Sequence, residues 1–376
     1  MAATDSARAG RVSRLLARLV GVAGGLLSVG GAKAVDLPAD HAEAMVHLFD
    51  GGGTKAYGPA LLVRKSVADK VALTGEYFVD IVSNASIDVV TQASKYKEIR
   101  NEYGLSADYV VRDTKVSGGF STSHEPDYRA NTTSLDVSQE TFGGMTTVAL
   151  GFSYGSDQVH KKNTPTFSDT ARHWQYRFGA TQILTPRWLM SANFEAIDDD
   201  GYLASPYRSA RVFGAFVNEN APRTRASQAL ELRAVGDIGD GPLRQSVHAS
   251  WRLFRDTWAI HANTFEVGSS KYFAGGWLGE AFLRYYTQQH ALFYSDNFTS
   301  ETLYFSRNRQ LSTFHDVGLG LGASRVVTSK PGHYEVTLRG NYEYIRFSYA
   351  DYTDVRTGKP YSNGASVLQM QLSASF

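Results

Sequence analysis

The chain has 376 residues, a formal net charge of +1 and no cysteine, which excludes disulfide bridges, a cysteine-ligated metal and a lipid-anchored N-terminal cysteine. Its mean hydropathy is negative, and its apolar stretches are all shorter than the ~20 residues that a transmembrane helix needs. Tyr (21) and Phe (20) are nevertheless abundant, so the apolar surface must be distributed over many short segments.

The N-terminal segment has the pattern of a secretory signal peptide. Four arginines between residues 8 and 18 precede an apolar run at 19–29, and Ala32-Lys33-Ala34 offers a small-residue cleavage site. We therefore predict that 1–34 is a signal peptide and that 35–376 forms one exported domain. Cleavage removes five basic residues and one acidic residue, which leaves a net charge of −3 and no indication of nucleic-acid binding.

From residue 44 onward, segments of about ten residues alternate apolar and polar side chains, which is the period-two pattern of β-strands. The clearest early segment places Leu73 and Tyr77 on one face and Thr74 and Asp80 on the other. The pattern predicts about sixteen strands. They lie at 44–50, 55–65, 71–81, 103–111, 128–139, 148–154, 174–181, 190–196, 258–267, 277–285, 316–323, 334–344 and 368–376, with one Gly- and Ser-rich strand after 112–115 and two strands flanking 239–242.

The connections between these strands alternate between short and long. Short connections follow even-numbered strands, at 66–70, 112–115, 185–187, 239–242 and 328–333, whereas the long connections at 82–101, 197–225 and 288–310 follow odd-numbered strands. An even strand number with short turns at one end is typical of bacterial outer-membrane barrels, whose short turns lie in the periplasm. We therefore expect both termini in the periplasm and the long loops outside the cell.

The last predicted strand carries the strongest indication of the fold. Leu368, Met370, Leu372 and Ala374 alternate with Gln and Ser, and the chain ends at the aromatic Phe376. An edge strand of a soluble sandwich can show this pattern, but a lipid-facing strand needs no covering layer, and a closing strand that ends in Phe is similar to the assembly signal of outer-membrane barrels.

We therefore predict an all-β fold, a transmembrane antiparallel up-and-down β-barrel of about sixteen strands in the bacterial outer membrane. Phe376 is its predicted assembly signal. The expected partners are outer-membrane lipid, lipopolysaccharide and, through the C-terminal strand, the barrel-assembly machinery.

In such a barrel the polar strand faces line the lumen, and here they carry charges of both signs. The predicted pore-lining residues are Glu76, Asp80, Asp108, Arg177, Glu195, Glu231, Arg233, Arg252, Glu280, Arg284, Glu335, Arg339 and Glu343. Sixteen strands enclose a lumen wide enough for water, and opposed acidic and basic groups set the selectivity of porin-type constrictions.

Because the acidic residues of this set outnumber the arginines, the sequence predicts a porin-like passive channel for small polar solutes or ions with a weak preference for cations. The alternative is a salt-bridge network that fills a closed lumen. In that case the barrel would be a non-conducting scaffold, or a secretion partner for a periplasmic or lipoprotein component.

Several phrases at strand ends and in loops occur together and in order. They are Leu48-Phe49-Asp50-Gly51-Gly52-Gly53, Leu62-Val63-Arg64-Lys65-Ser66, Ser86-Ile87-Asp88-Val89-Val90-Thr91, Gly201-Tyr202-Leu203 with Pro206-Tyr207-Arg208, Arg255-Asp256-Thr257-Trp258, Tyr285-Tyr286-Thr287-Gln288 and Phe293-Tyr294-Ser295-Asp296. In these phrases the chain resembles the uncharacterised outer-membrane barrel family DUF3570. The resemblance implies a barrel with no established activity or catalytic residues, and genes that neighbour those of a small lipoprotein and a flavin transferase, so a small periplasmic or lipoprotein partner is expected.

Three motifs that could carry chemistry have simpler structural explanations. Gly151-Phe152-Ser153-Tyr154-Gly155 matches G-x-S-x-G but lies inside an alternating strand, and 318–323 matches a dinucleotide fingerprint with no helix to follow it. Asp198-Asp199-Asp200-Gly201 could bind calcium or bridge lipopolysaccharide through divalent cations, although we favour a solvated acidic loop. The ten histidines form no metal motif, so we predict no enzyme activity, no cofactor and no metal site.

Overall fold

The computed structural model describes residues 37, 39–84, 96–162, 164–239 and 245–376. The predicted signal peptide lies outside these residues, as do parts of the predicted connections at 82–101 and 239–242. Within the described residues no helix is long and apolar enough to cross a bilayer; the two helices are short 3-10 turns at Ala274–Gly276 and Arg309–Leu311.

The described residues form eighteen strands. They are β1 (His41–Gly51), β2 (Thr54–Ala68), β3 (Val71–Asn84), β4 (Tyr96–Val111), β5 (Thr114–His124), β6 (Tyr128–Thr141), β7 (Thr146–His160), β8 (Ser168–Thr185), β9 (Trp188–Gly201), β10 (Ser209–Val212), β11 (Ala215–Asn218), β12 (Thr224–Asp237), β13 (Gln245–Asp256), β14 (His261–Phe273), β15 (Trp277–Gln288), β16 (Phe314–Lys330), β17 (Tyr334–Asp354) and β18 (Lys359–Ser375).

Sixteen of these strands form a closed barrel in which sequence neighbours pair antiparallel. The exception is that β9 pairs with β12, because the β10–β11 hairpin stands apart from the barrel. β1 and β18 close the ring, with Val46 opposite Met370 and Leu48 opposite Leu368. Closure leaves no unpaired sheet edge, and it confirms the predicted up-and-down barrel of sixteen strands.

Period-two alternation decides which side chains face outward. In β1, Val46 and Leu48 are exposed on the outer surface, whereas His47 between them is buried. Leu105 in β4 and Leu150 in β7 are exposed in the same way. Together these residues form an apolar belt around the barrel, as in barrels that face lipid, and the polar side chains face the lumen.

The two ends of the barrel differ in their connections. β1 begins and β18 ends at one end, here called the terminal end, whereas the long connections at 202–223 and 289–313 lie at the other, the loop end, together with short turns such as that between β1 and β2. At the terminal end the N–H of Phe376 donates to the carbonyl of Asp40 over 2.9 Å, and Lys65 Nζ lies 5.2 Å from the Phe376 ring centroid. The last residue is thereby tied to the first strand pair.

Several strands extend further toward the loop end than the sequence predicts. β17 continues to Asp354 instead of residue 344, and β8 begins at Ser168 instead of residue 174. The apolar alternation stops where the outward positions become polar, as at Arg346 and Thr170. The backbone ladder continues because the neighbouring strand still supplies hydrogen-bond partners.

Two predicted segments were wrong in detail. The predicted strand at 258–267 starts too early, because Trp258 lies in the turn before β14. The predicted loop at 197–225 contains the end of β9 and the β10–β11 hairpin, which turns at Phe213 and Gly214 with φ of 49° and 83°. A hairpin of two four-residue strands is too short to show a period-two pattern.

A buried apolar cluster lies at the loop end, and we call it the mouth core. It consists of Trp258, Ile260, Ala291, Phe293, Tyr294, Leu311, Tyr349 and Tyr352. Phe254 of β13, Phe314 of β16, Phe347 of β17 and Tyr361 of β18 pack against it. Because these strand residues belong to the inward faces, the 289–313 connection folds into the mouth of the barrel.

Candidate functional site: the inner wall and the mouth

All thirteen predicted pore-lining residues lie on the strand faces opposite the apolar belt, and therefore on the inner wall. Nine of them form ion pairs with another wall residue. The wall is therefore a paired network of both signs, and its geometry decides whether the network fills the lumen or lines it.

On one side of the barrel the ion pairs run along the wall between neighbouring strands. The Arg284 guanidinium of β15 lies 3.2 Å from Asp316 Oδ1 of β16 and 3.4 Å from Glu343 Oε1 of β17. Gly318 makes this reach possible, since a Cβ there would lie 2.7 Å from Glu343 Oε1 and 3.4 Å from Arg284 Nε. An inward glycine thus provides a flat strip on which side chains of the flanking strands meet.

The same arrangement occurs on the opposite side. Arg177 of β8 donates to Asp136 of β6 over 2.8 Å, and Gly151 of the intervening strand β7 lies beneath the pair. A Cβ on Gly151 would come within 2.2 Å of Asp136 Oδ1 and 2.7 Å of Arg177 Nε. Side chains two strands apart can therefore pair without leaving the wall.

The segment 318–323, which matches a dinucleotide fingerprint, is part of this wall. It lies within β16, and its glycines face inward, as we predicted. A Cβ on Gly320 would clash with the Phe282 ring. The Arg339–Glu280 ion pair passes over Gly322. These glycines serve side-chain packing, so the segment has no features of a nucleotide site.

The sequence analysis missed several partners of the predicted residues. Arg64 lies 2.6 Å from Asp108, and His47, which stacks on Phe78 at a centroid distance of 4.7 Å, lies 2.6 Å from Asp80. Both basic residues occupy inward positions of the first two strands. The same period-two criterion that selected the acidic residues would have found them.

The charged groups of the inner wall differ in how much water reaches them. The side chains of Arg177 and Asp136 are 38 % and 45 % exposed, and that of Arg252 is 31 % exposed. By contrast, the side chain of Arg307, in the 289–313 connection, is 1 % exposed. Water therefore reaches wall groups such as Arg177, Asp136 and Arg252, whereas protein largely encloses the Arg284–Glu343 pair, whose side chains are 14 % and 15 % exposed, and the mouth residue Arg307.

Arg307 attaches the 289–313 connection to β17. Its guanidinium donates to Tyr352 Oη over 3.1 Å, to the Thr353 carbonyl over 2.6 Å and to Asp296, and it lies 4.3 Å from the centroid of the Tyr352 ring. A charge buried this deeply is stable only where such donors and acceptors surround it. The connection is therefore held in a defined position in the mouth.

The two long connections also contact each other. Arg208 donates to Asn308 over 2.9 Å, and the backbones of Asn220 and Phe305 exchange two hydrogen bonds. The neighbouring Tyr207 donates its hydroxyl to Asp127 of the β5–β6 turn over 2.6 Å. Contacts therefore run across the mouth from the β5–β6 turn to β17.

Three carboxylates meet beside this turn. Glu98 of β4 and Glu125 and Asp127 of the β5–β6 turn each place one oxygen within 4.8 Å of the others. Burial raises the pKa of Glu125 to about 8; Arg100 opposes this rise, and the charges of Glu98 and Asp127 add to it. No sequence motif indicated this cluster, because its members belong to two separate segments that only the barrel brings together.

The acidic run Asp198-Asp199-Asp200 forms no such cluster. Our prediction of a solvated loop was wrong, since the run belongs to the loop end of β9, where successive side chains alternate between faces. Asp199 points inward and lies 2.7 Å from His173 Nδ1, whose other ring nitrogen lies 3.0 Å from Asp157. Alternation therefore prevents the three adjacent carboxylates from converging on one ion.

Ser153 of the G-x-S-x-G match lies within the uninterrupted strand β7. It is buried on the inner wall and donates to Gln175 Oε1 over 3.0 Å. A nucleophile elbow requires a sharp strand-to-helix turn that exposes the serine. Ser153 lies at no such turn and is not exposed.

Comparison with known protein families gives one match. The family described as "Protein of unknown function (DUF3570)" matches residues 91–346. The chain belongs to the DUF3570 family. The match includes the characteristic phrases from Gly201 to Asp296, whereas those that begin before residue 91 start outside it. No curated protein matches the chain.

Solved structures share the fold of this DUF3570 protein at low sequence identity. A bacterial polysaccharide outer membrane secretin has a TM-score of 0.51 and 9 % identity, and the alignment covers 89 % of this chain and 98 % of that chain. CdiB from Acinetobacter baumannii has a TM-score of 0.52 and 10 % identity, with 90 % of this chain and 60 % of that chain covered. Likeness at this level concerns the fold alone.

Proposed function

We propose that this DUF3570 protein is a porin-like passive channel for small polar solutes or ions in the bacterial outer membrane. The observation that carries the proposal is the water-exposed, mixed-charge inner wall. The Arg177–Asp136 ion pair lies flat over the inward Gly151 and still exposes more than a third of each side chain, and the Arg252 side chain is 31 % exposed. A network that filled the lumen would bury these groups, whereas a lining network leaves a polar path.

The membrane location is supported by the outer surface. Leu105 is 64 % exposed and Leu319 53 % exposed, and a continuous apolar belt of this kind is stable where it contacts lipid. A closed barrel also satisfies every strand's backbone without water. On this proposal the terminal end lies in the periplasm, lipid and lipopolysaccharide surround the belt, and Phe376 presents the last strand to the barrel-assembly machinery.

The mouth core narrows the proposed path at the loop end. The 289–313 connection occupies the mouth from the side of β13 to β18, so solutes pass between it and the remaining wall. A mouth narrowed by an anchored connection excludes large solutes, which is why we propose small ones as cargo.

The test is planar-bilayer recording of the purified barrel. Wild-type protein should give discrete conductance steps, and Arg252→Glu and Arg284→Glu should each shift the reversal potential toward cation preference, because each inverts a positive charge on the wall. The matched control is Arg325→Glu, which makes the same change on the outer face, where Arg325 lies 5.6 Å from the Trp277 ring. An ion selectivity that neither inner substitution alters would contradict the proposal.

A second function is favoured by the protein-filled mouth. If the mouth core closes the lumen, the barrel serves as a scaffold or secretion partner for a small periplasmic or lipoprotein component. Silent bilayers together with co-purification of a stable small partner would favour this function over the channel.

We propose no enzymatic activity and no cofactor for either function. Ser153, the residue that best matches a catalytic motif, is buried in a strand and engaged with Gln175. Failure of an active-serine probe to label the folded barrel is the expected result.

A further inference from the structure

The carboxylate cluster beside the β5–β6 turn has the composition of a site for a hard cation. Glu98, Glu125 and Asp127 each place one oxygen within 4.8 Å of an oxygen of the other two. Calcium binds such carboxylate oxygens in flexible geometry, completing its coordination with carbonyl groups or water. Three carboxylates this close repel one another when all are ionised, unless a positive charge lies between them.

Asp127 provides a second, independent indication of a ligand. The residue is 2 % exposed, and its Oδ2 accepts a hydrogen bond of 2.6 Å from the Tyr207 hydroxyl. Its Oδ1 is also buried, yet within the described part of the chain no donor reaches it. A buried carboxylate oxygen without a partner carries a substantial free-energy cost, which coordination to a cation would remove.

The nearby arginine does not replace such a cation. Arg100 Nε lies 4.0 Å from Glu125 Oε1, beyond hydrogen-bond distance, and donates instead to Ser123 over 2.8 Å. The terminal nitrogen of the same guanidinium pairs with Glu102. The Arg100 guanidinium is therefore directed mainly at groups outside the cluster.

We propose that Glu98, Glu125 and Asp127 bind one divalent cation of the calcium type at the loop end of the barrel. The ion would join the beginning of β4 to the β5–β6 turn. Through the Tyr207 hydroxyl on Asp127 it would also hold the 202–223 connection, and Arg208 continues that link to Asn308 in the mouth. The ion thus stabilises one end of the contacts that cross the mouth, whichever solute the barrel carries.

The test is calorimetric titration of Ca²⁺ into the full barrel, refolded without lipopolysaccharide in a zwitterionic detergent and a slightly alkaline buffer. Omitting lipopolysaccharide removes the other phosphate- and carboxylate-bearing binder of divalent cations. We expect one saturable Ca²⁺ per barrel. Asp127→Asn and Glu98→Gln should each weaken Ca²⁺ binding by about tenfold or more, because calcium affinity depends on the number of charged ligands.

The matched control is Asp200→Asn, which removes a carboxylate of the acidic run at the loop end of β9 and should leave the affinity unchanged. Heat-modifiable gel mobility establishes that each variant is folded. If Asp127→Asn does not refold, Glu98→Gln decides. Absence of one-to-one binding to the wild-type barrel, or equal weakening by the control, would overturn the site; conductance plays no part in this outcome.

Discussion

The middle of the barrel wall and the mouth core are built by opposite rules. In the wall, large apolar side chains such as Leu105 and Leu319 are exposed on the outside, and charged groups line the inside. In the mouth core, Ile260 and Tyr352 are 2 % and 1 % exposed and pack against other apolar groups, as in a water-soluble domain. Backbone pairing shapes the wall, whereas side-chain packing shapes the mouth.

The difference teaches where each kind of substitution should act. The wall is a ladder of backbone hydrogen bonds that closes on itself, so loss of one side chain leaves the ladder intact. The mouth depends on buried contacts between a 25-residue connection at 289–313 and four strand ends, and a cavity there removes the interactions that hold the connection. Three predictions follow from this contrast, from the largest expected effect to the smallest.

Tyr352→Ala should release the mouth without unfolding the wall. The substitution removes a buried ring, its stacking on Arg307 and the hydrogen bond from that guanidinium. Truncation of a buried aromatic residue costs about 3–5 kcal/mol of stability. Here the loss destabilises the state in which the 289–313 connection is packed in the mouth. Limited proteolysis should cleave this connection at least tenfold faster than in wild type, while the barrel keeps its heat-modifiable mobility.

Tyr285→Ala is the matched control for the mouth, since it removes a tyrosine of the same size from the outer belt, where the residue is 42 % exposed. It should leave proteolysis of the 289–313 connection at the wild-type rate. If the protease cleaved the 289–313 connection equally slowly in Tyr352→Ala and wild type, backbone pairing, and not the mouth core, would position the connection.

Gly318→Val should disturb the wall by a smaller amount. A Cβ at Gly318 would lie 2.7 Å from Glu343 Oε1, so the Arg284–Glu343 pair must move off the wall. Because the displaced atoms are the ends of flexible side chains, we expect a decrease of about 1 kcal/mol in the free energy of unfolding, at the low end of the range for overpacking. Urea unfolding of the barrel refolded into liposomes should show this decrease in the free energy of unfolding. Gly340→Val, at an outer position with open space around its Cβ, should show none, and similar losses in both variants would contradict the role assigned to the inward glycine.

Asp40 should give the smallest effect, visible only in acid. A hydrogen bond from Lys65, together with the N–H of Ser66, lowers the pKa of Asp40 from 3.8 to about 2. Because the folded-state pKa is depressed, the stabilisation is complete above about pH 4 and disappears as the pH falls through about 2. The gap in unfolding midpoint between wild type and Asp40→Asn should therefore narrow from pH 4 to pH 2. A gap that is constant with pH would show that the Asp40 carboxylate does not contribute through its charge.

A feature of the site could be predicted from the sequence when it depends only on residues of one strand. Arg284 and Glu343 were identifiable as inward residues because parity within one strand decides the face. Their pairing over Gly318 was not, because it requires the register of three strands. Trp258 was assigned to the predicted strand at 258–267, although its side chain packs in the mouth core.

The sequence by itself determined the alternation, the sixteen strands, the inward charges and the positions of the long connections, since each depends on residues within one segment or its neighbours. Only the tertiary structure decided that the 289–313 connection folds into the mouth, that Arg177 reaches Asp136 across Gly151, and that Glu98 meets Asp127. The physical reason is that these contacts depend on strand register and barrel closure, which bring residues from separate segments close together.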